Sequence, residues 1–164
     1  MIVSDRAHLL IAWHSRTGAS EALAHAAAGG AGPEARLMPA AAVMPGDLLA
    51  AGGYLFAAPE NLATLSGAMK ELFDRCYYPV LGRIEGRPYA SLIAAGSDGS
   101  GAQAQLDRIC TGWRLRRVAA PVIVNFAAQT PEAILAQKRV AEADLTAARE
   151  LGAALAEGLA QGIF

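Results

Sequence analysis

Apolar runs of four to eight residues recur along the chain, separated by stretches in which apolar residues fall three and four apart and by clusters of Gly, Pro and small polar residues. The runs read as strands over His8 to Trp13, Ala35 to Met38, Gly53 to Ala57, Tyr89 to Ala95, and Leu115 to Val124 with a break near Pro121. The intervening patterns read as helices over Ala19 to Ala28, Gly46 to Ala50, Ser66 to Cys76 and Gly101 to Trp113. Parallel neighbours need long crossovers, and right-handed crossovers place helices on both faces of a sheet. The expected fold is therefore α/β: a doubly wound, five-stranded parallel sheet.

From Thr130 to Phe164 a second helical region follows, with Thr130 as N-cap and Pro131 in the first turn. Its intermittent stripe of Leu135, Leu145, Ala148, Leu151, Leu155 and Leu159 predicts a long helical segment over about 130–161 that docks on the sheet. With 164 residues the whole chain, 1–164, is expected to form one domain.

Composition narrows the function. The 54% apolar content is inflated by Ala. Acidic and basic residues number 15 and 14, which provides no strong field for nucleic acid or an anionic membrane surface. Cys76 and Cys110 lie far apart with no Cys-x-x-Cys and no nearby His pair, so neither a disulfide framework nor a metal site is indicated. The opening residues lack the pattern of a secretory leader, and no apolar run approaches the roughly 20 residues of a membrane span. A soluble, cytoplasmic protein is expected.

In open parallel sheets ligands sit beyond the carboxyl ends of the strands. Three loops qualify: Trp13 to Ser20, Ala58 to Gly67 and Gly96 to Gly101. In the first, Ser15, Thr17 and Ser20 surround Gly18 where a strand gives way to a helix. Helix N-termini present unpaired N–H groups, and the hydroxyls complete a cradle for a phosphate without a lysine. The alternative is that these residues merely start a helix. A P-loop is excluded by the missing lysine, a thiolate phosphatase by His14 where a cysteine would stand, and a Mg²⁺-dependent receiver by the lack of clustered acids.

"LLIAWHSRTGAS", "GYLFAAPENLATLSGAMKELFDR" and "ASLIAAGSDGSG", taken together at their separations, resemble the flavodoxin-like family of FMN proteins, particularly its flavodoxin and NAD(P)H-dependent FMN reductase branches. The resemblance covers most of residues 8 to 125 and implies a sheet of order 2-1-3-4-5. It implies that Ser15, Arg16, Thr17, Gly18, Ala19 and Ser20 surround the FMN phosphate. Pro59, Glu60, Asn61 and Leu62 would run along one edge and face of the isoalloxazine, and Gly96, Ser97, Asp98 and Gly99 would border its pyrimidine end.

Ala19 and Ser20 stand where the family often has Asn and Thr, and Ala57 and Ala58 replace its small and hydroxyl pair. The central loops also lack the stacking Trp or Tyr of flavodoxins, which leaves a flavin face open to a nicotinamide or quinone. The expected activity is NAD(P)H-dependent reduction of a quinone or similar acceptor through FMN, with the flavin and no side chain doing the chemistry. A flavodoxin-like electron carrier and an FMN-less binding module are the alternatives. Glu60 and Asp98 would either bias the flavin potential or cap loops, and His14 would either touch the phosphate or serve a structural hydrogen bond.

"WRLRR", Trp113 to Arg117, reads as the guarded start of an edge strand, with a role in NADPH phosphate binding as the alternative. Met69, Leu72, Phe73 and Cys76 form the core face of the third helix, with Lys70, Glu71, Asp74 and Arg75 facing away. The resemblance further implies a homodimer built through this region.

Overall fold

Residue by residue along the first strand, Leu9 and Ile11 point to one side of the sheet and Leu10 and Ala12 to the other, and all four are buried. A strand apolar on both faces needs cover on both, and the computed structural model, which describes residues 7–164, provides it. The first six residues of the expected domain, and with them the start of the stretch read for a leader, lie outside the described residues.

The elements run β1 (His8–Trp13), α1 (Ala19–Ala31), β2 (Ala35–Pro39), α2 (Pro45–Ala50), β3 (Ala51–Asn61), β4 (Thr64–Leu65) and α3 (Gly67–Val80). They continue as β5 (Pro88–Ala95), α4 (Ser100–Gly112), β6 (Arg116–Arg117), β7 (Val122–Asn125), α5 (Pro131–Leu135) and α6 (Glu142–Gln161). β1 lies between β2 and β3, and β3 pairs with β5, all parallel. The expected fifth strand is in two pieces on the outer side of β5: β6 beside Pro88 and Tyr89, β7 beside Leu92 to Ala95. Counting those pieces as one, the order is the expected 2-1-3-4-5.

One face carries Leu10, Tyr54, Phe56 and Ile93 against the Met69, Leu72, Phe73 and Cys76 face of α3 and against Leu106 and Trp113 at α4. The other carries Leu9, Ile11, Leu55 and Leu92 against Leu23 and Ala27 of α1 and Ala148 and Leu155 of α6. α1 and α6 are in very close contact. A Cβ at Gly30 would collide with the Arg149 carbonyl, and one at Gly152 with that of Ala27. Only glycine and alanine along this seam let two helix backbones come so near.

Four expectations need correction. β3 does not stop at Ala57 but runs on through Asn61, then folds back through Leu62 (φ 52°) and Ala63 (φ 64°) to pair antiparallel with β4. Two consecutive left-handed residues make a tight hairpin turn that ordinarily selects Asn-Gly, so Leu-Ala hid it. Arg75 does not face away: its Nη2 donates to the carbonyls of Ala40 and Val43 at 2.9 and 2.8 Å. Trp113 is not part of an edge strand; it is fully buried, with its indole N–H donating to the Tyr77 carbonyl at 3.1 Å, and only Arg116 and Arg117 form the exposed edge.

The fourth correction concerns the C-terminal region, which is not one helical segment. Thr130 caps α5 as expected, its Oγ1 accepting from Ala133 N at 3.2 Å, but the helix ends after five residues. Were it to continue, the Lys138 N–H would donate to the Ile134 carbonyl. Instead that N–H donates to the Thr17 carbonyl at 2.7 Å, drawing residues 136–141 across the β1–α1 loop in non-helical form. Leu135 consequently leaves the docking stripe and is 67% exposed.

Candidate functional site

At the carboxyl ends of β1, β3 and β5 lies a cleft of about 570 Å³, counting the space open to solvent. Three connections meet there, as the strand order requires of a doubly wound sheet. From the β1–α1 loop it takes Ser15, Arg16, Thr17, Ala19 and Ser20; from the end of β3, Pro59, Glu60 and Asn61; and from the β5–α4 loop, Gly96. The remaining expected residues do not line it. Gly18 is covered by the Gln137 side chain, Leu62 is at the hairpin tip and 98% exposed, and Ser97, Asp98 and Gly99 lead into α4.

Other lining residues fell outside the sequence reading. Ala94 and Ala95 end β5, and Phe126 and Ala128 follow β7, so both pairs sit where the strand-end rule points. Ile134, Leu135 and Lys138 come from α5 and the segment after it. Nothing local in the sequence marks them, because they reach the cleft only through the path the chain takes back over the first loop.

That first loop is built to present donors. Gly18 enters α1 at φ 92°, a left-handed conformation that costs other residues about 1–2 kcal/mol. Ser15 Oγ accepts from Gly18 N at 3.0 Å, closing the turn. Ser20 sits one residue into the helix, 1% exposed, and its hydroxyl has no hydrogen-bond partner. A buried hydroxyl without a partner costs about 1–3 kcal/mol, so this atom is placed for something the cleft receives. Together with the amides at the head of α1 and the cations of Arg16 and Lys138 in the lining, it makes a donor set that fits an anion such as a phosphate ester.

His14 takes the structural one of its two readings. Its Nδ1 lies 2.8 Å from Ser66 Oγ, tying the first loop to the start of α3, and burial, helped by the charge of Arg16, lowers its pKa. Ser66 N donates in turn to the Pro59 carbonyl at 3.2 Å, so the first two loops form one connected wall.

The carboxylate of Glu60 spans the second and third loops. Oε1 accepts from Gly99 N at 2.8 Å and Oε2 from Ala102 N at 2.9 Å, so it caps α4 from another element. Asp98 does the same at closer range, accepting from Ser100 N at 3.2 Å and Ser100 Oγ at 2.7 Å, and these bonds lower its pKa. Of the two readings open for these acids, the geometry supports capping.

Known structures share this architecture. A flavodoxin from the domain Archaea superposes with a TM-score of 0.77 at 14% identity, over 93% of this chain and 98% of its own. A WrbA-like flavodoxin from Agrobacterium tumefaciens gives 0.71 at 20% identity, over 94% and 98%. The rubredoxin oxygen:oxidoreductase of Desulfovibrio gigas gives 0.73 at 15%, over 97% of this chain but 38% of that one. At such identities the likeness is one of fold. No curated protein matches the sequence. A family model does: the one described as NADPH-dependent FMN reductase matches residues 39–131, more than half of the chain, including the second and third loops of the cleft. With the flavodoxin-like sheet beneath it and that match across it, the chain belongs to the NADPH-dependent FMN reductase family.

Proposed function

We propose that the cleft binds FMN as a resident cofactor and that the protein passes reducing equivalents from NAD(P)H to a quinone or a similar small acceptor. The observation that carries this reading is the buried, unpartnered hydroxyl of Ser20 at the head of α1, inside a cleft with cationic side chains. When bound, FMN supplies the hydride and electron chemistry; the side chains supply binding, orientation and exclusion of water. Ser15, Thr17 and Ser20 would hold the phosphate by hydroxyl and amide donors. Pro59, Glu60, Asn61 and Gly96 would border the ring, with Phe126, Ala128, Ile134 and Leu135 forming the apolar wall that keeps water from it.

No Trp or Tyr is among the lining residues, which supports a ring with a face free for a second planar molecule. The near balance of 14 basic and 15 acidic residues also favours a reductase over a carrier that docks on charged partners. A homodimer is part of the proposal, built on α3, where Tyr78 is 79% exposed beside a groove lined by Phe73, Tyr77 and Ile109.

The test is the visible spectrum of the purified protein with added FMN, followed by NAD(P)H oxidation with and without a quinone. A flavin band shifted from that of free FMN, with steady NAD(P)H oxidation only when quinone is present, is the expected result. An unchanged flavin spectrum would remove the cofactor from the account. A shifted spectrum with no NAD(P)H oxidation would leave an electron carrier.

A further inference from the structure

Two cations line the cleft, Arg16 from the first loop and Lys138 from the segment after α5. Lys138 lines it beside Thr17 and Ser20 and is partly buried, and its backbone is fastened to the first loop by the 2.7 Å bond from Lys138 N to the Thr17 carbonyl. Among the described residues no carboxylate pairs with it. Its ammonium instead donates to the carbonyls of Ile134 at 2.9 Å and Ala136 at 2.6 Å, the open end of α5. Both acceptors are neutral and the two bonds are solvent-exposed, whereas a phosphate oxygen offers a charge-assisted bond about twice as strong.

From these facts we infer that Lys138 is a further cofactor-binding residue: the segment after α5 brings a cation to the phosphate of the flavin nucleotide. The inference rests on the FMN reading above and adds a residue to it. It also gives the break in the C-terminal region a purpose. A helix continued through residue 138 would use the Lys138 N–H internally and would not tie the residue to the cradle. Gln137 lies over Gly18, so the same short segment covers the loop and delivers the charge. The Lys138 ammonium would exchange its two carbonyls for phosphate oxygens, a move within one side chain that needs no shift of the fastened backbone.

Flavin fluorescence titrations of FMN and of riboflavin, which lacks the phosphate, test the assignment. Lys138→Gln should lower FMN affinity roughly tenfold or more and leave riboflavin affinity within about twofold, and Lys138→Arg should restore most of the loss. The salt dependence of FMN binding supplies a second readout that needs no riboflavin: it should be shallower in Lys138→Gln than in the parent. Unchanged FMN affinity would overturn the inference, as would an equal loss for both flavins, since Lys138 would then only hold the segment in place. Failure of the unsubstituted protein to bind FMN is a different result and would sink the cofactor reading itself.

Discussion

Helices α1 and α4 begin in nearly the same way. Each follows a buried parallel strand, and each is entered through a glycine in the left-handed region, Gly18 at φ 92°, ψ −14° and Gly99 at φ 98°, ψ −17°. Their heads nevertheless differ in what satisfies them. α4 is closed by the protein's own carboxylates, with Glu60 on Gly99 N and Ala102 N and Asp98 on Ser100 N. At α1 no carboxylate accepts from the first-turn amides among the described residues, and the Ser20 hydroxyl is unpartnered. A helix start is thus not an anion site by virtue of its dipole. It can serve as one only where the chain withholds an internal acceptor, and the two loops of one cleft differ in that respect.

The contrast can be erased from the α1 side. Ser20→Asp would give α1 a carboxylate of its own and set like charges against a phosphate, so FMN affinity in a fluorescence titration should fall by about a hundredfold or more. Erasing it from the other side, Glu60→Ala leaves two amides of α4 without their acceptor and should cost about 2 kcal/mol in urea unfolding. Sulfate should then stabilise this variant by more than it stabilises the parent, because the opened head of α4 can receive an anion. An equal increment in the two proteins would show that Glu60 is not what closes it.

Thr17→Val removes one hydroxyl from the cradle and leaves its backbone; FMN binding should weaken about tenfold with unfolding unchanged. The smallest effect concerns pH. The folded His14 has a pKa below the ordinary 6.5, so its contribution to stability is present above that value and is lost as pH falls through the lower folded one. The unfolding midpoint should therefore drop more steeply below pH 6.5 in the parent than in His14→Gln. Parallel curves would deny the imidazole any such role.

How much of this was legible in the sequence follows from which contacts are local. β1 and β5 announced themselves because strands buried on both faces are apolar runs, β2 did so as a short run at the sheet edge between turn signals, and the ends of all three matched within a residue. The loops were legible as well, since a strand followed by small polar residues and a left-handed glycine has a local cause. The Leu62–Ala63 hairpin was not, because pairing of Glu60 with Leu65 overrode turn propensity. A capping role was one of the two readings of Glu60, but its target, the head of α4 at Gly99, 39 residues on, was not legible, nor was the arrival of Lys138 at Thr17. Each of those depends on where a distant segment lands, and the helical periodicity after Thr130 pointed to a continuous helix that a single tertiary hydrogen bond interrupts.

The closeness of α1 and α6 has an effect far from where the two touch. With Gly30 against the Arg149 carbonyl and Gly152 against that of Ala27, the two backbones abut, so the last twenty-residue helix braces α1, whose first amides open on the cleft. Small residues, which look like filler in a residue tally, are here what brings two helix backbones together. Shortening the chain before α6 would remove the support of a helix whose head opens on the cleft, although α6 itself does not line it.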